Sequence, residues 1–259
     1  MVRMIDVCSG KGGVGKTVVA SNLGIALQKL YKRTAVVDFN FTTSHLSLYF
    51  DIYSQPITLN NVLRNEARLE DAMYSHVSGL KIIPGSLNLK DIVDINVSDL
   101  KNKLKEAFSG FDIVLIDSAP GLGKEALIAL QASDEVLYVA NPQIPSVIDI
   151  AKCNDVVNKL DNKPNTIGII VNRVRNKSYE IKNNEITQFT GLPVIGVVPE
   201  DEKILECTNK KILVTVSKQK SSSSKAFFKI AAKIAGVENK EHSFLDSLMK
   251  FLGRRKYEN

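Results

Sequence analysis

Residues 10–17 read Gly-Lys-Gly-Gly-Val-Gly-Lys-Thr, and they stand directly between an apolar run, Met4-Ile5-Asp6-Val7-Cys8, and a stretch with helical periodicity. A strand, a glycine-rich turn and a helix in immediate succession commit the chain to a βα unit. The run satisfies the phosphate-loop pattern G-x-x-x-x-G-K-[ST]. Its glycines let successive backbone N–H groups turn inward as a nest for phosphate oxygens, and the following helix adds donors and the positive end of its dipole. Gly10, Lys11, Gly12, Gly13, Val14, Gly15, Lys16, Thr17 and Val18 are therefore the candidate phosphate-binding residues. Lys16 is expected to reach the outer phosphates, and the Thr17 hydroxyl to ligate Mg²⁺.

The rest of the chain repeats the βα theme. Strands are expected at 4–8, 34–38, 80–83, 112–117, 135–140, 167–172, 194–198 and 212–216, and helices at 17–30, 97–108, 124–131, 144–160, 181–189 and 226–235. Several strand candidates, such as Ile113-Val114-Leu115-Ile116, are apolar without alternation. Such strands are covered on both faces, so the expected fold is a doubly wound α/β domain with a mostly parallel sheet of about eight strands. The serines at 221–224 are positioned to cap the helix that follows them.

The chain has 259 residues, 44% of them hydrophobic, enough for one substantial α/β core. Its formal charge of +6 favours anionic partners without choosing among nucleotide, phospholipid and nucleic acid. Cys8, Cys153 and Cys207 form no close-spaced pair, which argues against a disulfide framework or zinc site and makes a reducing cytosol the expectation. The phosphate loop starts too early for a signal peptide, and no apolar run is long enough to span a bilayer.

With Lys11 opening the loop, the segment resembles that of the MinD/ParA family of deviant phosphate-loop ATPases. In that family the equivalent lysine reaches across a dimer interface to the nucleotide held by the other subunit. The resemblance implies an ATP- and Mg²⁺-dependent sandwich homodimer. Nitrogenase iron protein and the iron–sulfur carriers share the loop, but they use interface cysteines that have no counterpart here.

Further motifs resemble the family in order. Asp117 ends an apolar strand, as a Walker-B acid does, and Asp117-Ser118-Ala119-Pro120-Gly121-Leu122 resembles switch II. Asp38-Phe39-Asn40 resembles switch I, which usually carries D-x-D: Asp38 matches the metal-side acid, but Asn40 replaces the acid that positions or activates water. An amide can orient water but cannot take its proton at neutral pH. General-base help is worth about 10²–10⁴-fold, so slow hydrolysis is expected. Lys11, Lys16, Asp38 and Asn40 are the expected catalytic set, and Thr17, Asp38 and Asp117 the metal set. His45 is assigned no role. Val18 stands where many relatives carry a second threonine. Asn172-Arg173 resembles the family's base-contacting pair and Pro199-Glu200-Asp201 its adenine-side loop. Asn162-Lys163-Pro164-Asn165 lacks the acid of a guanine-binding motif and reads as a turn.

After residue 236 the character changes. Residues 237–242 read as a polar linker, and residues 243–256 as an amphipathic helix. At 100° per residue, Phe244, Leu245, Leu248, Met249, Phe251 and Leu252 fall within about 160° of arc. The tail resembles MinD's membrane-targeting helix in kind, implying a cytoplasmic protein peripheral at the inner face of the membrane, with an anionic surface and an unidentified protein partner. The alternatives are a ParA-like DNA-partitioning ATPase, which has no use for the apolar tail, and an ATP-binding assembly scaffold with little hydrolysis.

Overall fold

The computed structural model describes residues 1–40, 45–52, 56–85 and 97–237. The expected tail, 243–256, and most of the linker lie outside the described residues, as do Phe41, Thr42 and Thr43 after switch I.

Eight strands form one sheet: β1 Arg3–Cys8, β2 Thr34–Phe39, β3 Tyr74–Ser75, β4 Lys81–Ile83, β5 Ile113–Ser118, β6 Glu135–Ala140, β7 Asn165–Val174 and β8 Val194–Pro199. Their spatial order is β3-β4-β2-β5-β1-β6-β7-β8. Every neighbouring pair is parallel except β3 with β4. Every residue of β2 and β5 is buried, as expected for strands covered on both faces.

The longer helices follow their apolar periodicities: α1 Lys16–Lys29, α4 Val97–Ala107, α5 Lys124–Ala132, α6 Ile144–Val157, α7 Asn183–Thr190 and α10 Ser222–Ala235. Between them lie the shorter α2 Leu46–Tyr49, α3 Leu59–Leu63, α8 Glu202–Asn209 and α9 Val214–Ser217. Successive strand residues point to opposite faces. Ile5, Val7, Val36 and Leu115 pack beneath α1 and α10. Met4, Val37, Val114 and Ile116 pack beneath α4 and α5, and Cys8, Val136 and Tyr138 beneath α6.

One strand expectation fails. Residues 212–216 do not join the sheet; they form a turn that enters α9. Lys211 has φ 55°, which turns the chain away from β-structure. The segment is instead held by α1, where Asn22 Oδ1 accepts from the Thr215 backbone N–H at 3.2 Å and its hydroxyl at 2.9 Å. The eighth strand is the two-residue β3, which closes the opposite edge antiparallel to β4. Helix 144–160 also stops short, at Val157, and helix 181–189 starts at Asn183.

Two helices after β8, α8 and α10, share a carboxylate. Ser221 caps α10 by accepting from Ser224 N. Asp201 caps α8 by accepting from Lys203 N at 3.1 Å, and its other oxygen accepts from the Ser223 hydroxyl at 2.7 Å. Burial would raise the Asp201 pKa, but the hydrogen bonds from Ser223, Lys203 and Ser222 outweigh it and hold the group below the usual carboxylate range. Such a group stabilises the fold above its unfolded pKa and ceases to do so as pH falls through the folded one. Asp201→Ala should therefore cost about 1–2 kcal/mol at pH 7 in denaturant unfolding, with the deficit shrinking below about pH 4; a deficit that is constant with pH would exclude this double cap.

Candidate functional site

The strand order reverses around β1, whose neighbours are β5 and β6. Ligands of open α/β sheets bind in the crevice beyond the carboxyl ends of the strands at such a point. The phosphate loop crosses that crevice. Gly15 adopts φ 95°, a left-handed conformation that glycine alone takes without strain, and it forms the N-cap of α1. A Cβ there would also stand 2.5 Å from Asn172 Nδ2. Gly10 is constrained differently: a Cβ there would fall 2.3 Å from Asp149 Cβ on α6. The loop is thus clamped between β7 and α6.

Lys16 begins α1 and is only 8% exposed. Asp38 and Asp117 are register partners at the ends of β2 and β5, both buried, and they lie on the sheet face covered by α1. Burial raises the Asp117 pKa to about 6, opposed by the Lys16 ammonium, the Thr17 hydroxyl and His45. Its Oδ1 has no hydrogen-bond partner. A buried carboxylate oxygen left without a donor, beside a threonine hydroxyl at the head of a phosphate-loop helix, suits the water shell of a magnesium ion. Among the described residues no cluster of three His, Cys, Asp or Glu could hold a metal by itself. That fits an ion bound through one or two protein groups plus phosphate oxygens and water.

Asp38 is committed locally: Oδ1 accepts from Asn40 N at 2.9 Å and Oδ2 from Leu46 N at 3.3 Å. It therefore fixes the backbone on both sides of switch I. Asn40 is half-buried beside it. Switch II is tied to the phosphate loop, with Gly121 N donating to Ser9 O at 2.8 Å. Lys11 is partly exposed, and its ammonium has no hydrogen-bond or ion-pair partner among the described residues.

The residues expected on the base side converge. Asn172, Arg173, Pro199, Glu200 and Asp201 line one cavity of about 370 Å³ together with Gly15 and Val18. Asn172 also braces the phosphate loop, its Nδ2 donating to Val14 O at 2.8 Å. Arg173, at φ 60°, is exposed at the strand end. Glu200 pairs with Arg175 at 3.1 Å. The capping duty of Asp201 leaves it a structural role as well as a place on the cavity wall.

Two residues at the site carried no motif. Tyr49 of α2 lines the same cavity. Asp6, inside β1, is fully buried between the register partners Ile116 and Val136. Neither of its oxygens has a hydrogen-bond partner, and the nearby Ser118 hydroxyl donates to Val7 O at 3.1 Å. Burial dominates and raises the Asp6 pKa to about 7, against the pull of Ser118 and Lys16, while Asp117 adds to the rise. The one sequence signal for Asp6 was an ionisable residue within an otherwise apolar strand.

A glycine nest, a buried lysine and threonine at a helix N-terminus and an orphaned strand-end carboxylate together define a phosphate-loop nucleotide-binding protein. The chain belongs to the CobQ/CobB/MinD/ParA nucleotide-binding domain family, whose pattern matches residues 5–214. It is 35% identical to an uncharacterized ATP-binding protein of Methanocaldococcus jannaschii over 98% of each chain. The septum site-determining protein MinD of Pyrococcus horikoshii, solved as a complex with Mg-ADP, superposes with a TM-score of 0.83 at 32% identity, covering 93% of this chain and all of that one. The cell division ATPase MinD of Pyrococcus furiosus gives 0.84 at 32%, covering 92% and 100%.

Asp6 sets a pH dependence. Its carboxyl has an unfolded pKa near 3.8 and a folded one near 7, so the native state binds more protons between these values and its stability falls as pH rises through them. Asp6→Val removes the group from an apolar setting. Its stability relative to wild type should improve between pH 4 and pH 8 by on the order of 4 kcal/mol, measured by denaturant unfolding; a pH-independent difference would contradict the assignment.

Proposed function

We propose that this protein is a MinD-like ATPase that binds ATP with Mg²⁺, dimerises around it and carries a partner to the membrane surface. The observation that carries the reading is the pairing of a complete phosphate site with Lys11, a lysine at its rim that has no partner among the described residues. A cation at that place is free to serve a phosphate held by a second copy.

Magnesium, bound with the nucleotide, supplies neutralisation of phosphate charge. Within the chain, the loop amides and Lys16 hold the phosphates, and Thr17 and Asp117 orient the ion's shell, with Asp38 fixing switch I beside them. The Asn40 carboxamide orients the attacking water but does not accept its proton. Phosphoryl transfer is mostly positioning and charge stabilisation, so hydrolysis proceeds slowly and the ATP-bound dimer is long-lived.

The apolar side chains of the tail, Phe244 to Leu252, give each protomer a weak bilayer anchor. Two anchors joined in a dimer gain about 10²–10⁴-fold through effective concentration. ATP-dependent dimerisation then acts as a membrane switch without refolding the core. Among the described residues no helix is long and apolar enough to cross a membrane.

Three experiments test this. In sedimentation velocity, wild type should dimerise with ATP and Mg²⁺ and not with ADP, and Lys11→Ala should stay monomeric while still binding nucleotide; an ATP-bound monomer in wild type would end the sandwich reading. With anionic liposomes, ATP should enhance pelleting of the full chain but not of a chain ending at Gly236. Tail-independent pelleting, or none, would redirect the tail to a protein partner. In the same preparations Asn40→Asp should turn over ATP about tenfold or more faster than wild type, and equal rates would clear Asn40 of limiting the reaction.

A further inference from the structure

The cavity beside the phosphate loop has one wall that belongs to no nucleotide motif. Val18 of α1, Arg173 of β7 and Pro199 of β8, all within expected nucleotide motifs, line the cavity, and a wall outside those motifs is Tyr49 from α2, the short helix that follows switch I. The ring of Tyr49 is half-buried and packs against the core cluster beneath α1 together with Val18 and Ile204. Its phenol is raised in pKa by burial, with Asp117 adding to the rise and Arg173 opposing it. The hydroxyl therefore lies in the field of both the magnesium-side acid and the base-side arginine.

Helix α2 is held where it is. Its first N–H, of Leu46, donates to Asp38 Oδ2 at 3.3 Å. Just past its end, the Phe50 ring meets His76 edge-on at 5.6 Å between centroids, and Asp51 pairs with Lys211 at 3.6 Å. The ring is thus presented into the cavity by a braced helix. A cavity of about 370 Å³ walled by an aromatic ring, a guanidinium and aliphatic carbons suits a flat π-system, since stacking and cation–π contacts need such faces and no particular hydrogen-bond pattern.

We propose that Tyr49 is a base-contacting residue of the nucleotide site, its ring packing on the adenine while the phosphate loop holds the phosphates. The inference rests on the nucleotide reading above and adds to it a wall that comes from the switch I side. Because α2 hangs on Asp38, the base seat and the magnesium end of the site are joined through four residues of helix and one carboxylate.

The test separates base from phosphate. Calorimetric titration of the full chain with Mg-ADP and with magnesium pyrophosphate would be run on wild type, Tyr49→Phe, Tyr49→Leu and Tyr49→Ala. Base–aromatic stacking predicts that Tyr49→Ala weakens ADP about tenfold or more while pyrophosphate changes less than twofold. Tyr49→Phe should match wild type within about twofold for both ligands, since the ring carries the contact. Tyr49→Leu, which keeps apolar volume in the core, should bind ADP more weakly than Tyr49→Phe. The chain has no tryptophan, so tyrosine emission gives a second readout: ADP should alter it in wild type, and less so in Tyr49→Phe. Parallel weakening of ADP and pyrophosphate would reduce Tyr49 to a structural prop and overturn the proposal, as would unchanged ADP affinity in Tyr49→Ala. Wild type that binds neither ligand would overturn the nucleotide reading itself.

Discussion

One buried lysine at the head of α1 has to be reconciled with the acids around it, and the centre of the molecule is built on that balance. Lys16 is 8% exposed, and Asp6, Asp38 and Asp117 are all buried close by in the three central strands. Charges removed from water this thoroughly are costly unless something compensates them. Asp38 is compensated by backbone donors on either side of switch I. Asp117 keeps one oxygen without a hydrogen-bond partner and Asp6 both, and burial lifts both toward neutrality, which Lys16 resists. In the proposed reading, nucleotide phosphates would meet the lysine and magnesium the acids, each bringing the charge its partner lacks.

The surrounding fold supplies the rigidity that the balance requires. The phosphate loop is braced on one side by the Asn172 carboxamide and on the other by α6, which lies too close to Gly10 to admit a Cβ. Asp201 joins the starts of α8 and α10, and α10 covers β8, so one wall of the cavity beside the loop is fixed by the carboxylate that links two helices. Switch II joins the same scaffold through the Gly121–Ser9 hydrogen bond, and the Ser118 hydroxyl at its start donates to Val7 O.

Residues whose chemistry depends on neighbours in sequence were readable in advance. The phosphate loop, the acid at the end of β5 and the unalternating strands declared themselves because a glycine-rich turn, a strand-end acid and a buried strand are local patterns. The failure at residues 212–216 has the opposite cause. Ile212, Leu213, Val214 and Val216 have strand-like composition, but their partner is a side chain on α1 nearly two hundred positions earlier, and composition carries no record of it. Tyr49 was invisible for the same reason, since a tyrosine on a four-residue helix gains meaning only from the strands and helices it faces.

The sequence by itself determined the class of fold, the phosphate site, and the family that residues 5–214 match, because those depend on short segments that carry their own geometry. The tertiary structure alone decided that Asp6 is buried without a hydrogen bond, that Asn172 holds the loop while bordering the cavity beside it, that Asp201 serves two helices, and that Tyr49 lines the same cavity. Each of these depends on which side chains meet across the sheet and at its edges. That is settled when apolar faces pack, and no spacing along the chain encodes it directly.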